Sequence, residues 1–228
     1  MSRTAKERFT RIAGRYDFMN HFLSMGIDRK WREEAAKEAI LDKRSFSVLD
    51  SATGTGDFAF AIYDLAEEKG KRVRITATDF VKKMLYQAVK KAGRSGRNGI
   101  TFGIGDSLRT GFSNGSFDVV ATAFSLRNFD STDAFLRESY RILASRGRLV
   151  VLEMAMPDEP SQRRFFDAYS YFMRLSSVFA GREYSWLVDS IMKFDKHLLA
   201  GKTRAAGFRR VRLKPLASGI AFVMVAEK

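Results

Sequence analysis

The sequence contains no cysteine and only two histidines in 228 residues. Without cysteine the chain can form neither a disulfide nor a thiolate metal site, and it has no cysteine nucleophile. His21 and His197 form no HxH or HxxxH pair, so we expect no bound metal. The absence of cysteine also fits a reducing cytosol.

The sequence also lacks any long apolar run. No uncharged segment approaches the roughly 18 residues that a membrane span requires, and the charged N-terminal segment has no signal-peptide pattern. We therefore expect a cytoplasmic protein that can touch a membrane without crossing it.

Acidic residues are too few to balance the basic ones, and the formal net charge is +14. This surplus suggests an anionic partner, which could be nucleic acid, an acidic membrane surface or an acidic substrate. A charged solvated surface is the plainer explanation for any one basic group.

Apolar residues are abundant enough to indicate a folded domain. The 45% hydrophobic and 13% aromatic content excludes a disordered chain. The length fits one domain over residues 1–228. Some of the 20 phenylalanines can line a pocket rather than pack in a core.

Short β-rich segments alternate with helical patterns from residue 45 onward, which predicts an α/β architecture with a parallel sheet. The predicted strands are Ser47–Asp50, Arg74–Thr78, Ile100–Ile104, Phe117–Ala123, Arg148–Glu153, Val211–Leu216 and Ala221–Ala226. The predicted helices are Phe58–Glu68, Lys82–Ala92, Ser131–Leu143 and about Phe194–Ala206.

The last two predicted strands are joined by Leu216-Ala217-Ser218-Gly219, a suitable turn. We therefore expect a seven-stranded, mostly parallel sheet with a terminal antiparallel hairpin. That is the layout of the Rossmann-like class I methyltransferase fold, whereas a plain dinucleotide-binding fold has six parallel strands.

Four parts make up the predicted domain. Residues 1–44 form a helical N-terminal lid, 45–157 the cofactor-binding half, 158–193 a helical insertion, and 194–228 the last helix and the hairpin. The insertion carries an aromatic stripe at Phe165, Phe166, Tyr169, Phe172, Met173 and Phe179. Core packing is the default explanation for the stripe. The alternative is a wall or entrance for an apolar substrate.

A glycine loop, DSATGTGD, follows the first predicted strand. Gly54, Gly56 and Ala59 satisfy a dinucleotide fingerprint, so a dehydrogenase must be considered beside a methyltransferase. Asp50 discriminates between them, because a carboxylate there would repel a pyrophosphate but favour the ammonium and sulfonium groups of S-adenosylmethionine. The alternative for Asp50 is a loop or helix cap, although Asp57 has the stronger claim to capping.

Two more carboxylates end the next two predicted strands. Asp79 suits hydrogen bonds from both hydroxyls of an adenine ribose. Asp106 suits the adenine amino group, and the Ser107 amide suits a ring nitrogen. Met84 either packs on the adenine face or is simply a buried helix residue. Three carboxylates around one glycine loop predict an S-adenosylmethionine-dependent methyltransferase.

Several segments resemble one family throughout. They are FTRIAGRYDFMNHFLSMGIDRKWR, VLDSATGTGDFA, SFDVVATAFSLRNFDSTDAFLRESYRIL and RGRLVVLEMAMP, with AGFRRV and SGIAFVMVAEK near the C-terminus. The family is the ubiquinone/menaquinone biosynthesis C-methyltransferases. The resemblance covers nearly the whole chain, and RYDxMN and FxLRN are its most specific segments. It implies methylation of a ring carbon on a prenylated quinol, with S-adenosylmethionine as donor.

In family terms, cofactor positions fall on Thr55, Asp79, Asp106 and Ser107. Members often have serine at the position of Ala123, which puts that contact in doubt. Ser51 stands where leucine is usual, and ASRG at 144–147 where Lys-Pro-Gly-Gly is usual; neither departure touches the chemistry directly. The full set of expected cofactor-binding residues is Tyr16, Asp50, Thr53, Gly54, Thr55, Gly56, Asp79, Met84, Asp106 and Ser107.

The expected catalytic residues are Arg127 and Asn128, which follow the fourth predicted strand at the rim where ligands bind. Arg127 could stabilise a developing phenolate and Asn128 could orient the ring oxygen. The alternative for Arg127 is a bridge to a carboxylate that only holds the loop. Candidate bases are His21, Tyr16, or Asp106 through water, although Tyr16 fits better as a cover for the cofactor.

The expected partners are a prenylated quinol and, transiently, an anionic membrane surface; a homodimer is also compatible with the sequence. The substrate entrance is placed at residues 165–179, flanked by Arg163, Arg164 and Arg174. An RNA or DNA methyltransferase is the main rival, suggested by the net charge of +14. It is disfavoured, and no nucleic acid is expected, because the chain lacks a cysteine for pyrimidine C5 chemistry and an Asn/Asp-Pro-Pro-aromatic signature. Methylation of another small lipophilic molecule stays open, and a non-catalytic cofactor-binding protein is disfavoured by the complete carboxylate set.

Overall fold

The structure, a computed structural model, describes Thr10 and residues 26–164, 166–167, 170 and 189–228. The strands are β1 Ser45–Ser51, β2 Arg72–Asp79, β3 Ile100–Ile104, β4 Phe117–Ala123, β5 Leu143–Met154, β6 Arg209–Leu216 and β7 Ala221–Glu227. The helices with defined bounds are α1 Asp28–Ala39, α2 Asp57–Glu68, α3 Lys82–Ser95, α4 Thr132–Ile142 and α5 Lys196–Ala205.

The seven strands form one sheet in the order β3-β2-β1-β4-β5-β7-β6. Strands β1 to β5 pair in parallel, and β7 pairs antiparallel with both β5 and β6. This confirms the predicted mostly parallel sheet with a terminal antiparallel hairpin. The short 3-10 turn Ala217–Gly219 joins the last two strands, within the predicted turn segment.

The core lies on both faces of the sheet, because neighbouring residues of a strand point to opposite faces. Val48 belongs to the cluster that includes α1 and α2 residues, whereas Leu49 belongs to the cluster that includes α4 and α5 residues. Val119 and Val120 on β4 divide in the same way. Helices on both faces explain why the central strands are continuous apolar runs rather than alternating ones.

Two predicted boundaries differ from the observed ones by three residues or more, and the others agree within two residues. Strand β5 begins at Leu143 rather than Arg148, because Leu143 already pairs with Phe117 before the register shifts. Arg146 in that segment has a φ of 61°, a left-handed conformation that favours the glycine usual in the family. Helix α3 continues to Ser95 rather than Ala92 and ends at Gly96, which has a φ of 67°.

The predicted N-terminal lid lies partly within the described residues. Helix α1 buries Trp31, Ala35 and Ala36 against the sheet, and its Arg32 donates a hydrogen bond to Asp28 in a buried ion pair. Tyr16 and His21, with the rest of the predicted lid before residue 26 except Thr10, lie outside the described residues.

The predicted insertion is helical at residues 160–164, 166–167, 170 and 189–192. Phe166 is buried in the core on the α1 and α2 side, as the default explanation of the aromatic stripe predicts for that residue. The other five members of the stripe and Arg174 lie outside the described residues. Among the helices that are described, none is long and apolar enough to cross a bilayer.

Candidate functional site

A cleft of about 590 Å³, partly open to solvent, lies where the carboxyl ends of β1, β2, β3 and β4 meet. Parallel strands bring their carboxyl ends to one edge, so residues far apart in the chain converge there. Its lining residues are Ala52, Gly54, Asp79, Phe80, Val81, Met84, Asp106, Ser107, Leu108, Ala123, Phe124, Ser125, Asn128 and Phe129.

A smaller cavity of about 320 Å³ adjoins this cleft, and the two share Ala52, Gly54 and Ala123 as walls. The smaller cavity is more polar than the cleft. Its further walls are Arg32, Asp50, Thr53, Thr55, Asp57 and Phe58.

Asp79 at the end of β2 holds the glycine loop. Its Oδ2 accepts a hydrogen bond from the Gly54 amide at 2.8 Å, and its Oδ1 accepts one from the Val81 amide at 2.7 Å. Burial raises the pKa of this carboxyl, and the backbone amides of Val81 and Gly54 oppose the rise. Asp79 lines the cleft, where its carboxylate is an acceptor of the kind that a ribose contact requires.

Asp50 at the end of β1 is fully buried and satisfied on one side only. Its Oδ2 accepts hydrogen bonds from the Thr53 hydroxyl and from the Ala59 amide, the latter at 3.1 Å. Its Oδ1 has no hydrogen-bond partner in the described part of the chain. Burial raises the pKa of this carboxyl to about 7, against the hydrogen bonds from Thr53 and Ala59.

The Ala59 bond means that Asp50 does cap the first turn of α2, the alternative that the sequence left open. The prediction that Asp57 caps this helix is wrong. The residue before α2 is Gly56, whose φ of 90° is left-handed; it has no side chain, so the side-chain cap of this helix comes from Asp50. Asp57 instead accepts a hydrogen bond from Lys91 on α3. A side chain on Gly56 would collide with the Phe60 ring, 2.7 Å from the added Cβ.

Asp106 and Ser107 follow β3 and line the cleft as predicted. Asp106 Oδ1 accepts a hydrogen bond from the Leu108 amide at 2.9 Å, which closes the turn after the strand. The Ser107 hydroxyl accepts a hydrogen bond from the Ser51 hydroxyl at 2.9 Å. Ser51, to which sequence analysis assigned no direct role, therefore positions a residue of the site.

Met84 on α3 is buried and lines the cleft, so both of its predicted roles remain compatible with its position. The apolar walls that sequence analysis missed are Phe80, Val81, Leu108, Phe124 and Phe129. All but Val81 directly follow a strand or a site residue, which is the signal that could have found them; Val81 lies two residues after β2.

Ala52 and Phe124 follow β1 and β4 and have left-handed backbone, with φ of 56° and 57°. Such conformations are uncommon outside glycine and concentrate at functional sites. Phe124 also packs against Trp31 and lies under the Arg32 guanidinium, which is 5.2 Å from its ring centre. Helix α1 is thereby fixed against the cleft wall.

Arg127 is in the bridge that sequence analysis kept as its alternative. Its Nε donates to Glu153 Oε1 at 2.7 Å, and both side chains are almost wholly buried. Its Nη1 donates to the Ser190 hydroxyl at 2.9 Å. Arg127 does not line the cleft. Glu153, which sequence analysis missed, also accepts a hydrogen bond from the Met154 amide at 2.9 Å.

Asn128 lines the cleft, and its buried side-chain oxygen has no hydrogen-bond partner among the described residues. The Asn128 amide donates to the Ser125 carbonyl at 2.9 Å, which closes the 3-10 turn Leu126–Asn128 after β4. A buried acceptor without a donor costs free energy unless a ligand supplies one.

The expected site residues therefore divide by location. The cleft brings together Gly54, Asp79, Met84, Asp106, Ser107 and Asn128. The smaller cavity holds Asp50, Thr53 and Thr55. Gly56 and Arg127 line neither, and Tyr16 lies outside the described residues. Within the described residues no cluster of acidic and histidine side chains suits a metal ion.

The donor set fits S-adenosylmethionine. An adenosine needs acceptors for its ribose hydroxyls beside apolar walls, which Asp79, Met84 and Phe80 provide in the cleft. An amino acid end needs an anion and a cation, which Asp50 and Arg32 provide in the smaller cavity. The unpaired oxygen of Asp50 is the kind of buried acceptor that an ammonium group would satisfy.

Comparisons with known proteins agree over nearly the full length. The model of the ubiE/COQ5 methyltransferase family matches residues 2–228. A demethylmenaquinone methyltransferase from Deinococcus radiodurans is 39% identical over 228 residues, covering 98% of this chain and 92% of the relative. A ubiquinone/menaquinone biosynthesis C-methyltransferase UbiE from Rhizobium leguminosarum is 36% identical, covering 93% of this chain and 84% of the relative.

Solved structures confirm the fold. An S-adenosylmethionine-dependent methyltransferase from Thermotoga maritima superposes with a TM-score of 0.68 at 19% identity, covering 96% of this chain and 98% of that one. At this identity the likeness speaks for the fold alone.

Proposed function

Because the chain belongs to the ubiE/COQ5 methyltransferase family, we propose that it methylates a ring carbon of a prenylated quinol in the menaquinone or ubiquinone pathway. Family membership makes it an enzyme, a methyltransferase that uses S-adenosylmethionine as donor. The observation that carries the substrate proposal is the near-full-length similarity to relatives named for demethylmenaquinone and for ubiquinone/menaquinone biosynthesis.

The cofactor would be held across the two adjoining cavities. Asp79 would accept hydrogen bonds from the ribose hydroxyls, while Asp106 and the Ser107 amide would contact the adenine. Asp50 and Arg32 would pair with the ammonium and carboxylate of the amino acid end, above Thr53 and Thr55. When bound, the donor supplies a methyl group on a sulfonium, which leaves as a neutral thioether.

Asn128 would act on the substrate. Its unpaired Oδ1 can accept a hydrogen bond from a ring hydroxyl, which polarises the O–H bond and raises electron density on the adjacent ring carbon. The same bond would fix the ring so that this carbon faces the donor, and alignment of reacting atoms contributes strongly to rate.

Arg127 would act on the developing phenolate from outside the cleft. The Glu153 carboxylate and the Ser190 hydroxyl hold its guanidinium, so it cannot swing freely toward a ligand. Its charge is partly neutralised by Glu153, and its effect on the phenolate would be electrostatic and indirect. It also fixes the turn that presents Asn128.

The apolar walls of the cleft suit a lipophilic ring. Phe80, Val81, Leu108, Phe124 and Phe129 give the cleft that contains Asn128 apolar walls. A prenyl tail would keep most of such a substrate in a bilayer, so we place the enzyme in the cytoplasm, in transient contact with an anionic membrane surface.

The decisive experiment supplies purified protein with methyl-labelled S-adenosylmethionine and a reduced demethylmenaquinol, and follows the product by mass spectrometry. Label on a ring carbon of the quinol is expected. Asp79→Ala is the matched variant for cofactor binding and Asn128→Ala for substrate polarisation. Label on no quinol, with transfer to a different lipophilic acceptor, would overturn the substrate assignment but not the methyltransferase activity.

A further inference from the structure

Helix α3 carries an unusual excess of positive charge. Its fourteen residues include five lysines and arginines and no aspartate or glutamate. Apart from Ser95 in the last turn, the exposed residues fall on one side of the helix, within an arc of about 140° at 3.6 residues per turn. They are Lys82, Lys83, Tyr86, Val89, Lys90, Gly93 and Arg94. We call this set the α3 face.

The basic residues of the α3 face are not neutralised by any residue that the structure describes. In the described part of the chain, Lys82, Lys83, Lys90 and Arg94 have no ion pair, whereas Lys91, on the inner side, bonds to Asp57. The four charges therefore stay available to an external anion.

Strand β6, at the opposite edge of the sheet, shows what a neutralised basic surface looks like. It is also rich in lysine and arginine, but Arg210 pairs with Glu227 at 3.1 Å and Lys214 with Glu34 at 3.0 Å. The α3 face thus differs from β6 in its missing counter-charges rather than in its number of basic residues.

Apolar side chains stand among the free charges of the α3 face. Tyr86 is 67% exposed and Val89 50% exposed, one turn apart on the helix. Ile104, at the end of the edge strand β3 that packs beside α3, is 61% exposed. Exposed aromatic and aliphatic side chains between lysines are typical of surfaces that lie in a membrane interface.

The α3 face begins at the rim of the cleft. Phe80 and Val81 line the cleft, and Lys82, the first residue of α3, directly follows them. A surface bound along this helix would therefore lie beside the opening through which a lipophilic substrate reaches the site.

We infer that the α3 face docks the enzyme on an anionic lipid bilayer, with Lys82, Lys83, Lys90 and Arg94 over the headgroups and Tyr86 and Val89 at the interface. The inference rests on the proposed lipophilic substrate, which supplies the reason for docking. A lipid surface explains the exposed Val89 and Ile104, whereas a nucleic acid would need only the charges and a stacking ring.

The test measures binding of the purified protein to vesicles of phosphatidylglycerol and phosphatidylcholine by co-sedimentation. The variant Lys83→Gln/Lys90→Gln removes two charges from the α3 face. Each basic residue near an anionic membrane contributes about 1 kcal/mol, roughly fivefold in partitioning. Affinity for the anionic vesicles should therefore fall about 25-fold, while pure phosphatidylcholine vesicles bind wild type and variant equally weakly.

The matched control is Arg210→Gln/Lys214→Gln on β6, which removes the same net charge. Because those charges are already paired, vesicle affinity should change less than about threefold. A third variant, Val89→Ser, should weaken vesicle binding severalfold but leave binding to an RNA oligonucleotide unchanged. Both double variants should methylate a soluble short-chain demethylated quinol at the wild-type rate, since neither touches the cleft.

Three outcomes would overturn the inference: equal loss in both double variants, no preference of the wild type for anionic vesicles, or lysine-dependent binding to RNA but not to lipid. If the proposed function is wrong, a separate measurement shows it: the wild-type protein transfers no methyl group to the short-chain quinol.

Discussion

The two sides of the cleft satisfy their buried carboxylates in opposite ways. On the β1 and β2 side, the hydrogen bonds of Asp50 and Asp79 come from backbone amides and one hydroxyl, with no cationic donor among the described residues. On the β4 and β5 side, Glu153 is held by the Arg127 guanidinium. On the first side no described cation is hydrogen-bonded to Asp50 or Asp79, although Arg32 lines the same small cavity as Asp50, whereas on the second side Glu153 is paired with Arg127.

The difference indicates on which side of the cleft a charged ligand group would bind. A buried carboxylate without a cation holds its ionised form poorly, and burial raises the pKa of both Asp50 and Asp79. A cationic ligand would favour the ionised form. The β4 and β5 side offers a neutral acceptor, the Asn128 oxygen, which suits a neutral hydroxyl.

Removing the neutralised carboxylate should have the largest effect. Glu153→Ala leaves the Arg127 guanidinium buried without its partner, which typically costs about 3–5 kcal/mol in the free energy of unfolding. Urea denaturation measures it. Glu153→Gln, which keeps the shape and one acceptor, should lose less. A loss under about 1 kcal/mol for the alanine variant would mean that water replaces the carboxylate and that the pair is not truly buried.

Removing the Asp79 carboxylate, on the β1 and β2 side, should lower the affinity for the cofactor. Asp79→Ala should weaken S-adenosylmethionine binding by about 100-fold, because two hydrogen bonds to a charged acceptor are lost. Calorimetry of cofactor binding is the measurement, and Glu153→Gln serves as the control that should bind normally. Unchanged affinity in the alanine variant would remove Asp79 from the cofactor site.

The unneutralised side should also give the protein a pH-dependent stability. With the pKa of Asp50 raised to about 7, the folded protein holds a proton that the unfolded chain has released from about pH 4 upward. The free energy of unfolding should therefore fall as pH rises through this window, by up to about 1.4 kcal/mol per pH unit, and level off above pH 7.

Asp79 contributes in the same direction, so Asp50→Asn should flatten this dependence without abolishing it. Urea denaturation at pH 5, 6, 7 and 8 compares the two proteins. Identical slopes would mean that Asp50 is ionised throughout and that its buried oxygen has a donor in solution.

The smallest expected effect comes from removing the neutral acceptor, the side-chain oxygen of Asn128. Asn128→Ala should lower kcat about tenfold through the loss of one hydrogen bond to the substrate hydroxyl, with cofactor affinity unchanged. Steady-state kinetics with calorimetry separates the two. Asn128→Asp keeps an acceptor in place and should recover part of the rate. A tenfold loss of cofactor affinity in Asn128→Ala would instead assign Asn128 to the cofactor site.

The fold and the cofactor side were accessible from sequence because their signals are local. Asp50, Asp79 and Asp106 each end a strand that its own apolar pattern reveals, and parallel strands bring such ends together. All seven strands were predicted, with errors confined to their ends. The first five residues of β5 were missed because Leu143 joins the sheet through its pairing with Phe117, a contact that periodicity does not show.

The substrate side was less accessible because its contacts are long-range. Glu153 lies 26 residues from Arg127, and no local sequence pattern around either residue predicts that the two form an ion pair. The same holds for Asp57, whose partner Lys91 lies on another helix. The left-handed backbone of Phe124 could not be foreseen either, since no glycine marks it.

The position of β7 has a consequence for synthesis of the chain. Strand β5 ends at Met154, but the strand that covers its free edge begins only at Ala221. Ribosomes add about 5–20 residues per second, so the 66 intervening residues leave that apolar edge open for roughly 3–13 s. Open edges of this kind recruit other strands. The nascent chain therefore passes through a period in which this unpaired edge exposes it to aggregation.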